Sequence, residues 1–147
     1  MLDRVTGYVA DGGTHGLGWL RADKDVDADD WYFKPHFFQD PVQPGSLGVQ
    51  AMCSLLQWYL LERNADAGPA AVRARPRFEP VRTGHPLTWK YRGQVVPTDT
   101  RLTVELDVTS FGTDERGRYA IADGWLWVDG RRIYHVAGLG MRVVAGP

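Results

Sequence analysis

Cysteine is almost missing from this chain of 147 residues. Its single thiol, Cys53, excludes an intramolecular disulfide framework. Cys53 sits in an apolar segment and reads as a small buried hydrophobe rather than a reactive group. Excess charge is missing too. Seventeen Lys and Arg oppose eighteen Asp and Glu, for a net charge of −1, so nothing points to a nucleic-acid or anionic-membrane partner. No long uncharged apolar run is present and no signal-peptide pattern opens the chain, so the expectation is a soluble cytoplasmic protein or a domain of a longer one. There is no Cys/His cluster spaced for zinc and no glycine-rich nucleotide loop, so neither a metal nor a nucleotide cofactor is expected. No internal repeat is visible.

What the chain does have is apolar mass: 44% hydrophobic residues and six tryptophans, enough for the core of one domain spanning residues 1–147. Val5 to Val9 reads as a strand ended by Asp11-Gly12-Gly13, with His15 to Arg21 as its hairpin partner. The acidic stretch from Asp23 to Asp30 lacks periodicity and reads as a solvated loop. From Ser46 to Arg63 the pattern is helical. Leu47, Val49, Met52, Leu55, Leu56, Tyr59 and Leu60 cover most of the circumference, which predicts a helix buried nearly all round. Gln50, Ser54 and Gln57 share one face. Ser46 is the expected N-cap after Pro44-Gly45, and Gly68-Pro69 closes the helical region.

Strands follow. Val72 to Val81 is a candidate with bends at Pro76 and Pro80, and Leu87 to Val96 is another. Arg101 to Phe111 alternates cleanly, with Leu102, Val104, Leu106 and Val108 on one face. Tyr119 to Val128 is a long strand. Asp129-Gly130 is a strong hairpin signal, returning through Arg131 to Val136, and Met141 to Val144 adds a last strand. One buried helix and a run of long antiparallel strands predict an α+β hot-dog fold, a sheet wrapped around a central helix. A free edge in such a sheet invites dimerisation by sheet extension.

The stretch that carries chemistry runs from His36 through Asp40-Pro41-Val42-Gln43-Pro44-Gly45 to Gln50. An imidazole, a rigid Pro/Gly turn and a helix start in that order can set a base beside backbone N–H groups that attract a carbonyl oxygen. His15, His85 and His135 lack such a context. Asp40, before a proline in a tight turn, is expected to hold the loop by side chain-to-backbone hydrogen bonds. Glu62 and Asp66 are expected to be solvated, and Trp58 and Tyr59 to pack in the core. Trp31, Tyr32, Phe33, Phe37 and Phe38 offer rings both to the core and to an acyl tunnel, and the sequence does not assign them between the two.

These residues resemble the β-hydroxyacyl-acyl-carrier-protein dehydratases, in the β-hydroxydecanoyl dehydratase/isomerase branch, close to the dehydratase domains of polyunsaturated fatty acid synthases. The resemblance rests on Trp31-Tyr32-Phe33-Lys34-Pro35-His36-Phe37, Asp40-Pro41-Val42 and Pro44-Gly45-Ser46-Leu47-Gly48. Supporting matches are Met1-Leu2-Asp3-Arg4-Val5, Lys90 to Pro97, Ala122-Asp123-Gly124 and Val128 to Arg131. It implies a hot-dog homodimer, or a paired hot-dog unit, in which the histidine of one protomer faces an acid on the central helix of the other. His36 takes the base position, hydrogen-bonded to the Val42 carbonyl, and the Gly45 N–H takes the oxyanion position. Val42, Pro44, Ser46, Phe37 and Ser54 are expected to border the substrate, a 3-hydroxyacyl thioester on the phosphopantetheine arm of an acyl carrier protein. No cofactor is implied.

Two positions depart from the family. Its acid falls on Gln50, and the glutamine that supports that acid falls on Ser54. A carboxamide holds a hydroxyl or water but gives no proton as an acid. A general acid is worth about 10²–10⁴-fold in rate, so a slow dehydratase is one expectation. A non-catalytic acyl-binding or dimerisation scaffold is the other. An acyl thioesterase on the same fold is a weaker third.

Overall fold

The computed structural model describes residues 1–63, 76–79, 84 and 86–144. One long helix, α1 (Gly45–Glu62), packs against a curled antiparallel sheet. The strands are β1 (Arg4–Val9), β2 (Trp19–Asp25), β3 (Arg77–Glu79), β4 (Thr88–Tyr91), β5 (Arg101–Asp114), β6 (Gly117–Val128) and β7 (Arg131–Val144). Their order is β1-β2-β5-β6-β7-β3, with β4 also paired to β7. This is the hot-dog arrangement. Residues 72–75, 80 and 81 of the expected strand around Pro76, together with Asp66, Gly68, Pro69 and His85, lie outside the described residues.

Period-two alternation decides which face of the sheet meets the helix. Leu102, Val104, Leu106 and Val108 of β5 are buried, and their register partners Ala22, Leu20, Leu126 and Ala122 are buried with them. Strand shifts at Val108/Ser110 and Ala122/Gly124 bend the ladder, as bulges do, and curl the sheet. Gly124 leaves room for a helix residue: a Cβ there would meet Leu106 at 2.7 Å and the Met52 sulfur at 3.2 Å. Asp129 and Gly130 both have positive φ, 47° and 81°, the geometry of a tight two-residue hairpin.

Several sequence expectations are corrected. Arg131 to Val136 and Met141 to Val144 are one strand. The segment between them continues the ladder: Asp123, paired to Asp107 on β5 but without a register partner on β7, accepts the Gly138 N–H through its side chain at 3.0 Å. The partner of β1 begins at Trp19 rather than His15. The turn before it is held by Asp107, which accepts both the Thr14 N–H and hydroxyl. The acidic stretch is only partly a solvated loop. Asp23 to Asp25 complete β2, with buried Asp23 accepting the Thr103 hydroxyl, and Asp30 pairs with Lys24. The strand expected from Leu87 to Val96 stops at Tyr91, because Val95 turns its carbonyl to the Gln43 N–H instead of a neighbouring strand.

The helix is buried on one side only. Gly48, Ala51, Met52, Cys53, Leu55, Leu56, Tyr59 and Leu60 are buried, whereas Ser46, Gln50, Leu61 and Glu62 are exposed and Val49, Ser54, Gln57 and Trp58 half-buried. The expectation of burial nearly all round fails because the sheet of a single chain covers one flank.

Candidate active site

Between the short helical turn Trp31–Phe33 and α1, the chain folds back on itself with few side-chain hydrogen bonds. The Val42 N–H donates to the His36 carbonyl at 2.7 Å, and His36 Nδ1 lies 2.9 Å from the Val42 carbonyl oxygen. A carbonyl only accepts, so the proton of the neutral ring sits on Nδ1 and the Nε2 lone pair is left free. The Phe37 ring stacks on the imidazole, with centroids 4.1 Å apart. Backbone bonds between Phe37 and Asp40 close the turn, and Gln39 takes a left-handed φ of 64°. Asp40 is exposed and its carboxylate makes no hydrogen bond among the described residues, so main chain holds this turn, not the Asp40 side chain expected from sequence.

Five residues after Asp40, α1 begins. Pro44, not Ser46, occupies the N-cap, and no side chain caps the helix. The Pro44 carbonyl accepts the Leu47 N–H, while the Gly45 N–H has no acceptor among the described residues. The N-terminal end of an eighteen-residue helix therefore presents unpaired donors and its positive dipole end beside the His36 loop. Ser46 is exposed and points no hydroxyl at the cap.

Two aromatic rings that sequence reading did not single out stand over this helix start. A Cβ on Gly45 would lie 3.2 Å from the Tyr91 ring and 3.3 Å from the Trp89 ring, so glycine permits their close approach. Tyr134 completes the group, 4.9 Å from Tyr91 and 5.8 Å from Trp89 between centroids. Its ring lies against Gly48, where any Cβ would overlap it. Burial pushes the Tyr134 phenol well above its ordinary pKa, and the hydroxyl has no partner among the described residues. Trp89 and Tyr91 alternate at strand spacing, a pattern that puts them on one face of a strand without saying what that face covers.

The remaining site candidates divide. Val42 is buried and offers its carbonyl to His36. Pro44 is half-buried at the helix cap. Phe37 is 58% exposed, and Phe38 and Trp31 more so, whereas Tyr32 and Phe33 belong to the core. Gln50 is exposed on the open face of α1, and its backbone carbonyl accepts the Ser54 hydroxyl at 2.9 Å. No hydrogen bond joins His36 to Gln50 within the chain. Trp58 is half-buried against Tyr8, and Tyr59 is fully buried with its hydroxyl on the Leu17 carbonyl. Burial raises the Cys53 thiol above its usual pKa. Among the described residues no cluster of His, Cys, Asp and Glu is arranged to hold a metal ion, and no helix is long and apolar enough to cross a membrane.

Residues 1–137 match the family model described as a FabA-like domain. The chain belongs to the FabA-like domain family. It is 35% identical over 150 residues to one of the polyunsaturated fatty acid synthase proteins of Thraustochytrium sp., an alignment covering 99% of this chain and 9% of that protein. The FabA-like chain thus spans about a tenth of that relative's length. Among solved structures it is similar to a mutant thioesterase from Pseudomonas aeruginosa, with a TM-score of 0.54 at 16% identity over 87% of this chain and 76% of the other. A mutant hypothetical protein from Staphylococcus aureus gives a TM-score of 0.50 at 13% identity over 87% of both chains. At these identities the structural likeness speaks for the hot-dog fold alone.

Proposed function

We propose that this FabA-like domain dehydrates 3-hydroxyacyl thioesters carried on an acyl carrier protein to 2-enoyl thioesters, in fatty acid, polyunsaturated fatty acid or polyketide synthesis in the cytoplasm. The observation that carries the reading is the His36 Nδ1 contact to the Val42 carbonyl beside an uncapped helix start. It leaves Nε2 as a base and the Gly45 N–H as a donor in one short segment.

In this mechanism Nε2 takes the α-proton of the thioester. The developing enolate oxygen is held by the Gly45 N–H with the helix dipole behind it. Collapse of the enolate forms the α,β double bond and expels the β-hydroxyl, which leaves as water after accepting a proton. Gln50 holds that hydroxyl or a water by hydrogen bonds, and the His36 imidazolium returns the proton, so no resident cofactor is required. Isomerisation of a 2-enoyl to a 3-enoyl thioester needs only a proton shuttle between carbons, and His36 would serve both steps.

A homodimer or paired hot-dog unit completes the reading. It is supported by the open face of α1, by the exposed rings of Trp31, Phe37 and Phe38, and by the lack of contact between His36 and Gln50 within one chain. The carboxamide of Gln50 favours a second reading, a catalytically silent domain that binds acyl chains or holds a dimer. Mass spectrometry of the enoyl product from a 3-hydroxyacyl thioester separates the two. Turnover with Gln50 in place, lost in His36→Ala, supports the enzyme; turnover that survives His36→Ala ends the proposed mechanism.

A further inference from the structure

The outer face of the sheet, turned away from α1, carries its charges unevenly. Toward β1 and β2 the cations are matched. Arg4 binds Asp25 through two bonds of 2.7 Å, Arg101 also reaches Asp25, and Lys24 pairs with Asp30. At the far end of β7, Arg142 is held by Glu79 and Asp114. Between these regions lies a groove of about 400 Å³ lined by Lys90, Arg92, Trp125, Arg132 and His135, with no acidic side chain among the lining residues.

Strand register builds this groove. Lys90 pairs with His135, and His135 pairs with Trp125, so the three stand in one row across β4, β7 and β6. The Arg92 N–H bonds the Ile133 carbonyl, which sets Arg92 beside Arg132. Lys90, Arg92 and Arg132 form no ion pair with any described residue; Arg132 lies over the Trp127 ring at 5.8 Å. The Trp125 and His135 rings stack at 5.6 Å. The nearest acid in register is Glu105, opposite Trp125 on the next strand.

Three permanent cations crowded without counter-charge repel one another, which a bound anion would relieve. Arginine forks and an ammonium suit tetrahedral, multiply charged oxyanions better than a single carboxylate. In a chain of net charge −1, this patch runs against the global sign. We propose that the groove binds a phosphate ester, with Lys90, Arg92 and Arg132 taking the phosphate and the Trp125–His135 stack walling the groove. The phosphate can come from a free pantetheine phosphate such as coenzyme A or from the same group tethered to a carrier protein. Its binding is independent of whether the domain turns over a 3-hydroxyacyl thioester.

Pyrophosphate titrated into the whole chain, followed by the Trp125 indole N–H resonance, tests this. The wild type should show a saturable shift that weakens with added salt. In Lys90→Glu/Arg132→Glu the affinity should fall about tenfold or more, as the loss of charge-assisted contacts requires. Both side chains are exposed, so an unchanged melting temperature verifies that the variant folds. No saturable shift, or equal affinity in the variant, overturns the proposal. Coenzyme A, phosphopantetheinylated carrier protein and phosphate-free pantetheine then identify the source. Tighter binding of either phosphorylated ligand supports phosphate recognition and names its origin, while pantetheine binding as tightly as coenzyme A overturns it.

Discussion

The two flanks of α1 obey opposite rules. On the sheet side, Met52, Leu55, Leu56, Tyr59 and Leu60 have no exposed surface, and Gly48 and Gly124 are glycines because neighbouring side chains fill the space a Cβ would need. On the open side, Ser46 and Gln50 are exposed, and the helix begins without a side-chain cap. Each buried aliphatic side chain contributes about 1.5–3 kcal/mol, so the sheet flank holds the fold. The open flank and the His36 loop leave donors and a lone pair unspent, which costs stability and is useful only where a substrate or a second protomer arrives. Substitutions on one flank should therefore move stability, and on the other activity.

The largest expected effect is on the loop. His36→Ala should lower turnover by about 10²–10⁴-fold or more, the usual worth of a general base. Its structural cost is the hydrogen bond to Val42 and the stacking on Phe37, each about 0.5–1.5 kcal/mol. Steady-state kinetics beside a thermal melt checks both. A collapse of stability comparable to the loss of activity would mean that His36 is a structural residue. Next comes Gln50→Asp, which should raise dehydration by about 10²–10⁴-fold by restoring a proton donor. Because Gln50 is exposed in the single chain, the melting transition should move by no more than about 0.5 kcal/mol. No gain with an intact fold would place the acid elsewhere.

The opposite pattern is expected at Gly48. Its Cβ would overlap the Tyr134 ring and meet Leu126 at 3.1 Å. Gly48→Ala should destabilise the domain by about 1–3 kcal/mol through overpacking, read by chemical denaturation. Any change in rate should follow the loss of folded protein. A stable Gly48→Ala variant would mean that Tyr134 is free to move and that the sheet flank is looser than its packing indicates.

How much of this could be read from sequence follows the same division. The alternation of Leu102, Val104, Leu106 and Val108 reports burial directly because a strand has a fixed period, and the Asp129-Gly130 turn reports its own backbone. The His36–Val42 contact was readable because its two residues are close in the chain. Three features were not. The join of the two segments of β7 depends on Asp123 reaching Gly138, a contact between strands that no local pattern encodes. The open flank of α1 was hidden because apolar residues such as Val49 and Trp58 flank the buried stripe and are covered only in part, and a single sequence does not say how much of them a sheet or a second chain covers. Trp89 and Tyr91 were missed because their partner, Gly45, is distant in sequence and has no side chain to signal the contact.

Ser54 marks where the two flanks meet, and the smallest effect is expected there. Its hydroxyl donates to the Gln50 carbonyl one turn back, a bond that duplicates helix pairing and often bends the helix slightly. Ser54→Ala exchanges that bond for the best helix-forming residue, so stability should change by no more than about 0.5 kcal/mol and in the stabilising direction. If Ser54 only steadies the backbone, KM and kcat should both stay at wild-type values. A rise in KM with kcat unchanged would place the hydroxyl against the substrate and extend the functional flank a full turn beyond Gln50. A fall in kcat alone would instead show that the Gln50 carbonyl, freed of its second donor, shifts the carboxamide that the leaving hydroxyl needs.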